Sequence, residues 1–251
     1  MNILEAVIIG IIQGLTEFLP ISSSGHTILA GRILGVEANL AFELILHLAT
    51  LCAVIIVMRK DIFALVKKPF QKETGLLLSA TAVTTVILLL FLDFFKSTFD
   101  GQFLPYCFII TAIMLLCAGF FKQSQRKMTY LDALIIGVVQ GCAALPGISR
   151  SGSTIAAGTM LGQERGRAAR FSFLLSIPVI IGSSVVEITG GGLSGVAFLP
   201  LFFGFFAAFV SGLLALRLML KLFSRSADYF AIYLLALSIL LLLNDFILHW
   251  F

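Results

Sequence analysis

Charge is what this chain has least of. Asp, Glu, Lys and Arg together supply 12% of its 251 residues, against about 25% in soluble domains. So few charges cannot cover the surface of a soluble protein of this size. The same shortage excludes disorder, which needs high charge with low hydrophobicity. Cysteine is scarce too. Cys52, Cys107, Cys117 and Cys142 each sit inside an apolar stretch, at spacings that match neither a zinc site nor a disulfide framework, and they read as apolar packing. The N-terminus lacks a basic leader: Glu5 precedes the first apolar run and no small-residue cleavage site follows. That segment reads as part of the mature fold rather than a signal peptide. What the chain does have is apolar surface. Hydrophobic residues make up 59% of it and the mean hydropathy is +1.08. These values specify an all-α integral membrane protein with several crossings, and they set nucleic-acid binding aside. The net charge of +4 is then a signal of topology, not of an acidic partner.

A membrane-crossing helix needs roughly 20 apolar residues, within about 17–25. Six stretches qualify, at about 40–58, 75–95, 103–121, 168–188, 197–219 and 229–248. Two others are interrupted. Residues 3–18 run into Pro20 and the polar stretch from Ser22 to His26, then resume to about Leu34. Residues 130–145 run into Pro146, Gly147 and the stretch from Ser149 to Ser153, then resume to about Leu161. Non-helical backbone survives at membrane depth only inside protein or beside a wet cavity, so both regions read as re-entrant helical hairpins. The expectation is one transmembrane domain over 1–251 with ten helical segments, six crossing and four in hairpins. Lys and Arg crowd the 59–74, 122–129, 162–170 and 220–228 segments and nearly avoid 32–39, 96–102 and 189–196. Basic loops face the cytoplasm. Both termini are then outside, with the first hairpin entering from the outer face and the second from the inner.

The two interrupted regions are copies. Residues 8–37 laid without gaps on 135–164 are identical at 16 of 30 positions, far beyond chance. The chain therefore divides into one repeat of about 1–121 and another of about 130–251. Opposite orientations make this an inverted-topology repeat, whose broken helices meet near the midplane and form a site there. The differences between the copies carry chemistry. Glu17 and His26 stand where the second copy has Ala144 and Ser153, and Arg150 stands where the first has Ser23. Brought together, the hairpins join Glu17, His26, Ser22 and Ser23 to Ser149, Arg150, Ser151 and Thr154, with Gly147 at the second break.

An arginine at depth costs about 2.5–3.5 kcal/mol on insertion scales. One use for it is an ion pair with Glu17 that only holds the hairpins together. The other is anion binding. Guanidinium, hydroxyls and the N–H groups opening the arm 153–161 converge as a phosphate cradle, although no standard phosphate-loop motif is present. Beside such a cradle His26 is a candidate nucleophile or acid–base group. Glu43 is placed to line the same site. His47, one turn on, has two readings, the same cavity or core packing, of which packing is favoured. Asp132 reads as a helix N-terminal charge, Glu187 as the outer end of a span, and His249 and Trp250 as interfacial.

The motifs QGLTEFLPISSSGH (13–26) and LPGISRSGST (145–154) resemble the two signatures of the undecaprenyl-pyrophosphate phosphatase, or bacitracin-resistance, family. Phe42-Glu43 and FSFLLSIP (171–178) resemble the spans that follow them, and the resemblance covers essentially the whole chain. It implies a multi-pass phosphatase of the bacterial cytoplasmic membrane, its site open to the outer face. Such an enzyme removes the terminal phosphate of undecaprenyl diphosphate and so recycles the lipid carrier of cell-wall synthesis. Its partners would be the polyprenyl diphosphate and membrane lipids, with self-association left open. The resemblance puts the acidic motif on Gln13 and Glu17, the serine on Ser23, the histidine on His26 and the arginine signature on Ser149, Arg150 and Ser151. Many relatives carry Glu in place of Gln13, so a mechanism needing two carboxylates there is weakened. Many also carry Gln in place of His47. A divalent cation, Mg2+ or Ca2+, is implied, with Glu17 as candidate ligand; no organic cofactor is.

Arg150 and the N–H groups of 149–154 would hold the diphosphate and its transition-state charge. Glu17 would orient or deprotonate the nucleophile, or bind a cation. The nucleophile is Ser23, His26 or a water. Architecture alone favours another class, a secondary transporter or lipid-carrier flippase, because inverted repeats with broken helices are the transporter plan. The occurrence of Glu17, His26 and Arg150 in one copy each favours the hydrolase. An ion channel lacks its ring of like charges.

Overall fold

A computed structural model describes residues 1–36, 40–189, 197–222 and 227–248. The 190–196 segment, Arg225, His249, Trp250 and the Glu187 side chain lie outside the described residues. The arms of the first hairpin are α1 (Ile3–Phe18) and α2 (Ser23–Leu34), followed by α3 (Leu40–Val57), α4 (Arg59–Lys67), α5 (Lys72–Leu90), α6 (Leu92–Ser97) and α7 (Leu104–Phe120). The second hairpin is α8 (Tyr130–Cys142) and α9 (Arg150–Met160). After it come α10 (Arg165–Thr189), α11 (Phe198–Leu222) and α12 (Asp228–Leu243), which ends in a π-helical turn, Asn244–Leu248. No strand occurs among the described residues. The protein is an all-α membrane protein.

The six expected crossing stretches fall on α3, α5, α7, α10, α11 and α12. Four of these, α5, α10, α11 and α12, are long and apolar enough to cross a bilayer alone. Helix α3 bends by 74° into α4, and α7 has 17 residues, the short end of the spanning range. Two helices go beyond the ten expected. Helix α6 is a short piece after α5. Helix α4 replaces part of the basic 59–74 loop and buries no side chain. Its Phe63 and Val66 are 60% and 70% exposed, and Lys67 Nζ lies 4.6 Å from the centre of the Phe63 ring. A short amphipathic helix with a basic face suits the bilayer surface.

Both hairpins open alike. Asn2 and Thr129 cap α1 and α8, and Glu5 and Asp132 return the bond three residues on, a capping box at each start. The helices then pack crosswise between the halves, α1 on α11 and α8 on α5. Small residues permit this. A Cβ at Gly14 would stand 2.3 Å from the Ala208 carbonyl oxygen, and one at Gly137 would stand 2.5 Å from that of Ala80. Helix α3 also packs on α11 and α10 on α5, while α3 meets α10 and α7 meets α12. Exchanging one half of the chain for the other leaves this set of pairings unchanged. Phe18, the last residue of α1, meets Phe173 of α10 edge-on at 5.8 Å. Both rings are fully buried, worth about 1.5–3 kcal/mol each, and they anchor the end of α1 where the polar break begins.

Candidate active site

Helix α1 stops because Pro20 follows. Leu19 is extended, with φ −73° and ψ 146°, as a residue before proline is pushed to be. The chain then turns through Ser22 at φ 71°. Among the described residues no other non-glycine has positive φ, and such a conformation costs on the order of 1–3 kcal/mol. The hydrogen bonds at Ser22 hold it there. Its Oγ accepts from the Gly25 N–H at 3.3 Å, capping α2, and from the Gly147 N–H of the other hairpin at 3.2 Å. Its carbonyl accepts from His26 Nδ1 at 2.7 Å. The second break is built likewise. Gly147 turns at φ 95°, where a Cβ would stand 2.6 Å from that of Cys107. Ser149 Oγ caps α9 through the Gly152 N–H at 3.0 Å, and the Ser149 N–H donates to Thr111 Oγ1 at 3.0 Å.

The two breaks meet at Glu17, which is 5% exposed. Arg150 donates to its Oε1. Ser23 Oγ donates to Oε2 at 2.5 Å, and Gln13 Nε2 donates to the same oxygen at 3.0 Å. His47 Nε2 lies 3.9 Å from it. A buried carboxylate with this many donors is satisfied and fixed in place. Glu17, Ser22, Ser23, Ser149 and Arg150 line a cavity of about 270 Å3. Ser24 from α2, Glu43 and His47 from α3, Gln140 from α8 and Ser183 from α10 complete its polar lining; Leu44, Leu88, Phe99, Ala144, Ile148, Val179 and Ile180 are among its apolar lining.

Residues 6–240 match the family described as bacitracin resistance protein BacA. The chain belongs to that family. It is 41% identical to the undecaprenyl-diphosphatase of Carboxydothermus hydrogenoformans, over 96% of this chain and 97% of the relative. It is 42% identical to undecaprenyl-diphosphatase 3 of Bacillus cereus, with 98% of each covered, and 37% identical to the undecaprenyl-diphosphatase of Methanobrevibacter smithii, with all of each covered.

Not every residue expected at the site of this family member faces the cavity. Gln13 stands behind Glu17 and orients it. Ser151 turns its hydroxyl to the Leu19 carbonyl at 3.2 Å, which ties the second hairpin to the first. Thr154 donates to the Arg150 carbonyl at 2.8 Å and lies 2.6 Å from Ser172 Oγ. Gly147 is spent on the turn. His26 points to α12. A carbonyl only accepts, so Nδ1 carries the proton given to Ser22; a neutral ring then accepts the Tyr233 hydroxyl at Nε2, 2.8 Å away. The ring also stacks on Tyr233 with centroids 5.7 Å apart. Of the two readings of His47, the less favoured holds: it lines the cavity rather than packing in the core, because α3 presents it one turn from Glu43. Gln140 was not anticipated; its one signal is that the repeat alignment pairs it with Gln13.

Chemically, the site sets a hydroxyl on a carboxylate beside a guanidinium, the arrangement of an activated nucleophile next to an anion clamp. It does not suit a divalent cation on Glu17. Both carboxylate oxygens are already taken by donors, the preceding turn supplies an amide, and no three carboxylate, imidazole or thiol groups gather for a metal among the described residues.

Proposed function

We propose that this protein is a membrane phosphatase that cleaves the terminal phosphate from undecaprenyl diphosphate, releasing undecaprenyl phosphate for reuse as the lipid carrier of cell-wall synthesis. The observation that carries the reading is the Ser23 hydroxyl donating to Glu17 Oε2 at 2.5 Å, with Arg150 on the other oxygen of the same carboxylate. Ser23 Oγ attacks the terminal phosphorus while its proton passes to Glu17. The bridging P–O bond breaks with its electron pair on the lipid phosphate, and Glu17 returns the proton to that leaving group. Arg150 and the N–H groups that open α9 hold the charge on the phosphoryl oxygens. A phosphoseryl intermediate results, and water then hydrolyses it. The apolar lining of the cavity takes the first isoprene units, and the rest of the chain stays among lipids.

A flippase is not favoured. The polar site is asymmetric about the relation between the halves, with Ala144 opposite Glu17 and Arg150 opposite Ser23. The positive-inside pattern supports a cytoplasmic-membrane topology with the first hairpin opening outward. Purified protein in detergent should release phosphate from undecaprenyl diphosphate, and Ser23→Ala should lose at least ~100-fold of that rate. A Ser23→Ala variant retaining a tenth of the parent activity overturns the serine mechanism. An impermeant thiol reagent on intact cells should label a cysteine placed at Gln102 and not one at Lys67; the reverse pattern overturns the topology.

A further inference from the structure

His47 brings a second proton-transfer group to the carboxylate that serves Ser23. Helix α3 places it one turn after Glu43, and both line the cavity. Its Nδ1 lies 2.9 Å from the Glu43 carbonyl oxygen. A carbonyl only accepts, so Nδ1 carries the proton, and the lone pair of the neutral ring is on Nε2. That nitrogen lies 3.9 Å from Glu17 Oε2, and the His47 side chain is 34% open where that of Glu17 is 4% open. Both atoms accept, so no direct hydrogen bond joins the neutral ring to the carboxylate, and a water in the cavity can donate to either. Ser23 Oγ donates to the same Oε2 at 2.5 Å. One carboxylate oxygen thus serves the nucleophile and faces the imidazole. Once Ser23 carries phosphate it has no proton to give, and its place on Oε2 falls to another donor.

We propose that His47 Nε2 is the base that takes a proton from the water hydrolysing the phosphoseryl intermediate, an inference that rests on Ser23 being the nucleophile. In that step the water oxygen forms a bond to phosphorus while one of its protons passes to Nε2. The Ser23 Oγ–P bond breaks with its electron pair on Oγ. The imidazolium hands its proton to Glu17 Oε2, which hands it to Oγ, and inorganic phosphate leaves. The charged groups that share the cavity with the ring are Glu17 of α1, Glu43 of its own helix and Arg150 of α9. Among the described residues α5 and α10 add no titratable group to it, and α11 adds no residue.

The test uses the full chain in detergent and undecaprenyl diphosphate labelled in its terminal phosphate. His47→Gln keeps a polar side chain that cannot take up a proton. It should release about one undecaprenyl phosphate per protein in a burst, then turn over at least ~100-fold more slowly than the parent. Labelled phosphate should stay on the acid-quenched protein, and adding Ser23→Ala should abolish that label. Parent kcat should fall as pH drops from about 8 to 5, the interval in which an imidazole takes up its proton, and the variant should lack that limb. His47→Ala should show the same burst and label and regain turnover with added imidazole, which serves if His47→Gln does not fold. Turnover within threefold of the parent in both variants overturns the inference. So does slow turnover without burst or label, the mark of a structural role. A pH limb that survives in the variant places the base elsewhere, and recovery with added Mg2+ or Ca2+ marks a cation ligand; either overturns it too. In each of those outcomes an inactive Ser23→Ala leaves the serine reading standing. An active Ser23→Ala removes that reading, and this inference with it.

Discussion

Ser22 of the first hairpin accepts the amide hydrogen of Gly147 of the second, 125 positions along the chain, at 3.2 Å. The same oxygen caps α2. One hydroxyl thus starts a helix and joins the two breaks, and it sits on a backbone held at φ 71°.

Ser22→Ala should therefore destabilise the fold by more than a lost cap. The cap contributes about 1 kcal/mol and the stranded Gly147 N–H about 1–3 kcal/mol, so a loss of roughly 2–4 kcal/mol is expected. Ser22→Gly also loses the hydroxyl but relieves the positive φ, and should melt above the alanine variant. Thermal unfolding in detergent decides; an alanine variant that melts with the parent counts against the clamp.

Arg150→Ala leaves Glu17 buried without its cation, a change that typically costs about 3–5 kcal/mol. Adding Glu17→Gln should recover most of that stability and none of the activity. Arg150→Lys keeps the charge but not the planar fork, and phosphate release should fall at least ~100-fold, about 2.7 kcal/mol of barrier. Stability that does not return in the double variant shows that the stranded Glu17 carboxylate is not what destabilises Arg150→Ala.

His26 is expected to act by position. Its Nδ1 proton fixes the Ser22 carbonyl, one residue before Ser23. His26→Ala should lower turnover at least ~10-fold with KM little changed, and His26→Asn, whose amide still donates, should recover part of it. Tyr233→Phe should stay within a few-fold of the parent. Equal inactivity in the alanine and asparagine variants, with no loss of stability, points instead to proton transfer by the ring.

Outside the spans, Asp132 at the mouth of α8 gives a pH signature. Burial works against its charged form, but the Arg126 fork at 2.8 and 2.9 Å and the Thr129 groups outweigh it and hold the carboxyl below its usual range. A carboxyl lowered in the folded state stabilises above its unfolded pKa, and that contribution is lost as pH falls through the folded value. Asp132→Asn should melt below the parent at neutral pH. The gap should close at acid pH, starting below about 4; a gap independent of pH removes the ionic contribution.

Much of the fold was legible because each rule involved acts along the chain. Apolar length placed α3, α5, α7, α10, α11 and α12, and Pro20 and Pro146 marked the breaks. Helix α4 was hidden because its pattern, RKDIFALVK, reads as a basic loop until its charges and apolar groups are wound onto opposite faces.

The sequence by itself determined that Glu17, Ser23 and Arg150 belong to one site, because a duplicated hairpin that keeps its glycines and serines yet differs at those positions has been fitted with chemistry there. Only the tertiary structure decided which neighbours face the cavity. His26 is captured by Tyr233, 207 positions away; Ser151 and Thr154 are drawn to Leu19 and Ser172; His47 and Gln140 turn inward. A buried polar group points to whichever partner can satisfy it. In this molecule those partners are brought up by helices of the other half, so no local spacing announces them.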